Sequence, residues 1–383
     1  MTQVAILGSG VMGSALAVPL ADNGHDVRLI GTHLDRDIID SVKKSRVHPG
    51  LDTELPASVQ AYQLEEAQEA FAGAEIVLSG VNSFGVRWAG EQLARLLPNG
   101  ALVIAVAKGL AADARGNLRI LPDVLTDRWR DDQRTASPVS AITGPSIAGE
   151  VAARRDTCVV FAGRAHAALD RLAAAFRTDS YRVWTSTDLV GCEVCAALKN
   201  CYALGVGLAE GVLEVRGASQ SADRMHNYEA ALFAQGAAEM RQMVTLLGGN
   251  PETAGWLPGV GDMYVTSTGG RNVRVGRLLG AGARFADASA QLGNPTLEGA
   301  AAIREIAGAL PRLREGGSVD AADFPLLRHL HAVIELEQPV DMPWSLFFGA
   351  DSRTAPTGDT GNGRGGSRGE STAGARPTGQ ERA

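Results

Sequence analysis

The amino-acid sequence predicts an α/β protein, an N-terminal doubly wound parallel sheet followed by an all-α C-terminal domain. Three observations carry this expectation. Short apolar runs alternate with helical patterns from Val4 to Ile142. A glycine-rich loop, Gly8-Ser9-Gly10-Val11-Met12-Gly13, links the first apolar run to the first helix. From about Asp188 onward, long alanine- and leucine-rich helical patterns replace the runs. The expected organisation is a sheet domain over residues 1–187, a helical domain over 188–348 and a tail over 349–383. The tail is rich in Gly, Thr, Ser, Pro and Arg and has almost no large apolar groups. It cannot offset its ordering entropy and is expected to be disordered.

The first strand, Val4–Leu7, runs through the glycine loop into a helix over Ser14–Asn23, with Pro19 placed to kink it, and a second strand spans Asp26–Ile30. Strand, Gly-x-Gly-x-x-Gly, helix, strand is the order of a Rossmann-type dinucleotide fingerprint. Gly8 permits the tight turn, Gly10 lets a pyrophosphate approach, and Gly13 lets the helix pack closely. Ser9, Val11 and Met12 complete the loop. About twenty residues on, where an acid would hold the ribose of NAD, the chain has Gly31-Thr32-His33. His33 and Arg36 suit the 2′-phosphate of NADP, Asp35 keeps NAD open, and each also fits a solvated loop. The coenzyme is therefore expected to be NAD or NADP.

Further strands are expected over residues 75–80, 101–106 and 139–142, with a helix over 86–97. Ligands gather at the carboxyl ends of such strands, where Val81-Asn82-Ser83, Ala107-Lys108-Gly109 and Thr143-Gly144-Pro145-Ser146 fall. Helical patterns over 190–205 and 228–247 lead the second domain.

Composition narrows the partners. A net charge of −7 over 383 residues argues against nucleic acid and anionic membranes, so an anionic substrate must be met by local arginines and backbone amides. No uninterrupted apolar run reaches about eighteen residues, and the start, Met1-Thr2-Gln3-Val4-Ala5, has no basic leader. A cytoplasmic protein without membrane insertion is expected. Cys192 and Cys195 form a Cys-x-x-Cys pair open to metal or dithiol chemistry. They lie in an apolar helical pattern lacking a second pair or a spaced histidine, so packing is the expected role and no metal site is assigned.

Only four of the 36 basic residues are lysines. Lys43 and Lys44 look like surface, whereas Lys108 and Lys199 stand alone. With arginine as the general cation, an isolated lysine suits a task arginine cannot perform, proton exchange near neutral pH. A loop lysine at 108 and a snorkelling helix-face lysine at 199 are the plainer alternatives.

These pieces together resemble the NAD(P)-dependent glycerol-3-phosphate dehydrogenase family over nearly all of residues 1–348. The resemblance rests on the glycine loop, Ala107-Lys108-Gly109-Leu110, Gly144-Pro145-Ser146 with Glu150, Ala197-Leu198-Lys199-Asn200, Gly261-Asp262, Gly269-Gly270-Arg271-Asn272 and Leu297-Glu298-Gly299. It implies hydride transfer between the nicotinamide and dihydroxyacetone phosphate or sn-glycerol 3-phosphate, a small phosphorylated substrate, and a homodimer. It makes Lys199 the general acid and base and Asp262 a polar partner in the active site. Lys108 would polarise or bind substrate and, with Arg271, face the coenzyme. Gly144, Ser146, Asn200, Arg271 and Asn272 would line the substrate site, and Glu298 the coenzyme side. Desolvation in an apolar helix would lower the Lys199 pKa toward neutrality. Arg271 could instead tether its loop, and Asp262 and Glu298 could cap the turns and helices they start.

The resemblance weakens between 210 and 229. Where the family carries a glycine-rich segment followed by basic residues, this chain has Glu210-Gly211-Val212-Leu213-Glu214-Val215-Arg216 and then His226-Asn227-Tyr228-Glu229. That leaves open a larger polyol or sugar phosphate, with His226 or Glu229 on its hydroxyls, or a surface loop. A dinucleotide-binding sensor without chemistry also remains, because fold alone does not dictate function.

Overall fold

In the computed structural model, which describes residues 1–215, 226–320 and 322–348, every strand of the main sheet lies between Gln3 and Ser186. The strands are β1 (Gln3–Leu7), β2 (Asp26–Ile30), β3 (Val59–Tyr62), β4 (Ile76–Ser79), β5 (Leu102–Ala105), β6 (Val139–Thr143), β7 (Thr157–Ala162) and β8 (Tyr181–Ser186). Their order is β8-β7-β6-β5-β4-β1-β2-β3. All neighbours run parallel except β6 and β7, which pair antiparallel from Ala141↔Ala162 to Thr143↔Val160. The order reverses between β1 and β4, so the crevice at their carboxyl ends opens beside the glycine loop.

Strands β1, β4, β5 and β6 are nearly continuous apolar runs because helices cover both faces of the sheet. The sequence pattern located these and β2 but not β3, β7 or β8. β3 is a half-exposed edge. β8, the other edge, alternates buried Tyr181 and Val183 with exposed Arg182 and Trp184, a pattern short enough to pass for a loop. Helix α1 (Val11–Asp22) starts inside the glycine loop, three residues earlier than its pattern suggested, and runs unbroken through Pro19.

From Leu189 onward the described residues form no strand. Helix α2 (Leu189–Val215) is apolar all round and therefore central: it packs against α3 (His226–Leu246), α4 (Asp262–Ser267), α5 (Arg271–Gly280), α6 (Glu298–Glu315) and α7 (Pro325–Glu335). It is long and apolar enough to cross a membrane, yet 94% of its most apolar window is buried inside the protein. One apolar cluster joins Ala141, Val160 and Ala162 of the sheet to Leu198 and Tyr202 of α2 and to Ile303 and Leu327 beyond. Cys192, Cys195 and Cys201 are free thiols buried in it, and burial pushes the Cys192 thiol up to about 12.

Helix α5 lies against α2 at backbone distance. A Cβ on Gly276 would stand 2.1 Å from the Leu204 carbonyl oxygen, and one on Gly207 would stand 2.3 Å from that of Val273. Only glycine fits these two positions, and their close approach fixes where the first residues of α5 emerge. The expectation for residues 349–383 and part of the 210–229 segment fall outside the described residues.

Candidate active site

Lys108 follows β5, Lys199 sits in the middle of α2, and Asp262 opens α4 after a π-helical turn over Leu257–Gly261. The fold brings the three together. The Lys199 Nζ donates to Asp262 Oδ1 at 2.5 Å, and the Lys108 Nζ donates to Asp262 Oδ2 at 2.7 Å and to the Gly144 carbonyl at 3.3 Å. Asp262 is fully buried and Lys199 is 7% exposed. Two ammoniums and one carboxylate leave an excess positive charge inside a protein of net charge −7, a setting that favours an anion or a developing alkoxide.

The two lysines differ in proton affinity. Burial lowers the Lys199 pKa to about 8, with the neighbouring Lys108 charge adding to burial and Asp262 opposing both. Burial acts on Lys108 as well, but the attraction and hydrogen bond of Asp262, with help from Glu298, outweigh it and raise its pKa. Lys199 spends one of its three N–H donors on Asp262, so others remain for a substrate oxygen.

Asn200, next to Lys199 on α2, accepts at Oδ1 from Asn272 Nδ2 at 3.1 Å, and Asn272 Oδ1 accepts from the Gly299 N–H at 3.3 Å. A Cβ on Gly299 would meet the Asn200 carbonyl oxygen at 2.5 Å, so this glycine lets the start of α6, with Glu298, come close. Arg271 is exposed at the first turn of α5, and its side chain makes no hydrogen bond or ion pair among the described residues. Its guanidinium and the free amides of that turn are available to a phosphate.

The glycine loop fits a dinucleotide pyrophosphate. Gly8 has φ +107°, and a Cβ on Gly13 would stand 2.4 Å from the Gly8 carbonyl oxygen, whereas nothing lies within 4 Å of a Cβ on Gly10. The Gly8 and Ser9 N–H groups are taken by the Ile30 carbonyl and Asp35, and the next one with an acceptor is that of Ser14, to the Gly10 carbonyl, so the Gly10 to Gly13 amides between them are unspent among the described residues. Val11 is exposed and Met12 half-buried; the Ser146 hydroxyl donates to the Met12 sulfur at 3.9 Å, joining the loop to the Gly144-Pro145-Ser146 turn.

Other residues singled out by the sequence have different neighbours. His33 is exposed and meets Trp88 edge-on at 5.5 Å, and Arg36 pairs with Glu65. The Asp35 carboxylate accepts the N–H groups of Ser9 and Thr32. His226 and Glu229 pair with each other at 3.0 Å in the first turn of α3.

Two residues escaped the sequence pattern. Glu193 is fully buried on α2, its carboxylate oxygens make no hydrogen bond of ordinary geometry among the described residues, and burial pushes its carboxyl up to about 8 while the Lys108 charge and the Leu121 backbone oppose the shift. A lone acid inside an apolar helix was a signal for it. His48 is buried against the glycine loop, and no nearby motif marks it.

Residues 3–169 match the model of the NAD-dependent glycerol-3-phosphate dehydrogenase N-terminus, and residues 188–344 that of its C-terminus. The chain is 35% identical to the NADP(+)-dependent glycerol-3-phosphate dehydrogenase of Archaeoglobus fulgidus over 76% of this chain and 83% of that protein. It is 32% identical to a glycerol-3-phosphate dehydrogenase [NAD(P)+] of Listeria monocytogenes over 87% and 93%. Among solved structures, the glycerol-3-phosphate dehydrogenase of Coxiella burnetii superposes with a TM-score of 0.72 at 27% identity, covering 90% of this chain and 96% of that one.

Proposed function

The chain belongs to the NAD-dependent glycerol-3-phosphate dehydrogenase family, and from that premise we propose that it interconverts dihydroxyacetone phosphate and sn-glycerol 3-phosphate with NAD or NADP. The observation that carries the proposal is the Asp262 carboxylate gripped by Lys108 and Lys199, which leaves one lysine poised near pH 8 in a buried positive site. When bound, the nicotinamide coenzyme supplies or accepts the hydride. The residues do the rest.

Residues 1–187 hold the coenzyme, with the Gly10 to Gly13 amides on its pyrophosphate. As the ketone oxygen gains negative charge, Lys199 gives it a proton; in the other direction neutral Lys199 removes the alcohol proton. Asp262 aims both ammoniums and balances their charge, and Lys108, which keeps its proton, stabilises the oxyanion. Arg271 and the first turn of α5 take the phosphate, while Asn272, tethered to Asn200, holds that helix end beside Lys199. On the same reading the protein is a cytoplasmic homodimer that supplies glycerol 3-phosphate to glycerophospholipid synthesis. Its four free cysteines, three of them buried, suit a reducing compartment, and light scattering tests the dimer.

Oxidation of NADH and NADPH by purified protein with dihydroxyacetone phosphate, beside a Lys199→Ala variant and longer ketose phosphates, tests the proposal. Turnover with dihydroxyacetone phosphate that disappears in the variant supports it and identifies the coenzyme. Turnover only with longer phosphates would move the substrate, and coenzyme binding without turnover would overturn it.

A further inference from the structure

The backbone of Ser9, the second residue of the glycine loop, is gripped from three elements. Its N–H donates to Asp35 Oδ2 at 3.2 Å, and its carbonyl accepts from His48 Nε2 at 2.9 Å and from the Ser14 hydroxyl at 3.2 Å. His48 is fully buried and belongs to a small hairpin, Val47–His48 paired with Thr53–Glu54, that lies 39 residues beyond Ser9 in sequence. Its Nδ1 accepts the N–H groups of Gly50 and Leu51, each at 3.1 Å. A ring nitrogen that accepts two N–H groups carries no hydrogen, so the imidazole proton sits on Nε2 and is donated to Ser9.

The peptide is trans, so its carbonyl and the following N–H point in opposite directions. Drawing the Ser9 carbonyl inward to His48 turns the Gly10 N–H away from the hairpin, toward the open side of the loop where α1 begins. Resting on the coenzyme reading above, we infer that His48 is a positioning residue for the coenzyme pyrophosphate: it sets the Ser9–Gly10 peptide before the ligand arrives. The turn it anchors also touches the loop directly, since a Cβ on Gly50 would stand 3.0 Å from Val11 Cγ1. Preorganisation of this kind lowers the ordering cost of binding.

Two variants separate this role from support of the hairpin. In His48→Asn the amide oxygen takes the place of Nδ1 and keeps the Gly50 and Leu51 bonds, but the side chain is too short for Ser9. In His48→Gln the amide nitrogen reaches the Ser9 carbonyl. Calorimetric titration of NADH and NADPH is expected to show Kd raised about fivefold in His48→Asn, the loss of one hydrogen bond, and restored to within about twofold in His48→Gln. Ser14→Ala, which removes the other donor without touching the turn, is expected to weaken binding about threefold. In the coenzyme-free protein, hydrogen exchange at the amides of Gly10 to Gly13 is expected to quicken in His48→Asn while the β1 and β4 amides keep their protection. Unchanged Kd and unchanged loop exchange in His48→Asn would overturn the inference, as would equal behaviour of the Asn and Gln variants. Wild-type protein that binds neither coenzyme would instead refute the coenzyme reading, and the exchange measurement would still decide whether His48 holds the loop.

Discussion

Replacing Asp262 by Asn keeps the shape of the site and removes the charge on which both lysines close. In the native protein three influences hold the Lys199 pKa near 8: burial lowers it, Lys108 lowers it further, and Asp262 at 2.5 Å raises it. Asp262→Asn leaves only the two that lower it, and loss of an opposite charge in contact moves a pKa by about one to three units. The sign follows directly. Lys199 must be protonated to deliver a proton to the ketone, so wild-type kcat/KM for reduction falls as pH rises through about 8. In the variant that inflection moves down, to between about pH 5 and 7. At pH 8 the wild-type lysine is about half protonated; after a two-unit shift about one part in a hundred is, which predicts a loss of roughly 50-fold from protonation alone. Alcohol oxidation needs the neutral amine, so its rise with pH shifts to lower values by the same amount. The assay is kcat/KM in both directions between about pH 5 and 9.5, read from coenzyme absorbance. An inflection that stays near 8 or moves up in Asp262→Asn would refute Lys199 as the titrating group. A uniform loss in both directions without any shift would assign Asp262 to geometry alone.

Three further outcomes are expected. Arg271→Ala removes charge-assisted hydrogen bonds worth about 1.5–3 kcal/mol, so KM for dihydroxyacetone phosphate rises about 10- to 100-fold, while the slow reduction of unphosphorylated dihydroxyacetone stays unchanged in parallel steady-state assays. Gly276→Ala drives a Cβ to 2.1 Å from the Leu204 carbonyl; separating α5 from α2 costs about 1–3 kcal/mol, read as a Tm several degrees lower, and draws Asn272 away from Asn200. Glu193 keeps its proton in the folded protein up to about pH 8, whereas the unfolded carboxyl releases it near its ordinary value of 4.5. Stability is therefore lost as pH rises between those values, by roughly 3 kcal/mol at pH 7, and urea denaturation of Glu193→Gln from pH 5 to 8 shows a flatter profile than wild type.

Much of this protein was legible because its signals are local. The spacing of Gly8, Gly10 and Gly13 between two apolar runs is a property of six consecutive residues, and it marked a loop whose backbone has that form. Apolar runs mark the buried strands β1, β4, β5 and β6, where both faces are covered, half-exposure dilutes the pattern at the edges β3 and β8, and the buried run of β7 also goes unmarked. The scarcity of lysine sets Lys108 and Lys199 apart from the arginines that serve as general cations. Asp35 stands where a carboxylate could meet a ribose, yet one of its oxygens is spent on the N–H groups of Ser9 and Thr32, contacts that local spacing does not reveal.

The strand–loop–helix order, the glycine loop, the helical, strand-free character of the described residues beyond 188 and the residue types able to exchange a proton or meet a phosphate are written in the sequence, because each depends on neighbours within a few positions. Folding in three dimensions makes Lys108 and Lys199 close on one carboxylate 154 and 63 residues away, buries the Glu193 carboxyl and brings a hairpin histidine onto the Ser9 carbonyl. Those facts arise from chain closure and from glycine-to-backbone packing between helices, and the proton affinities follow from the burial and charge that packing creates.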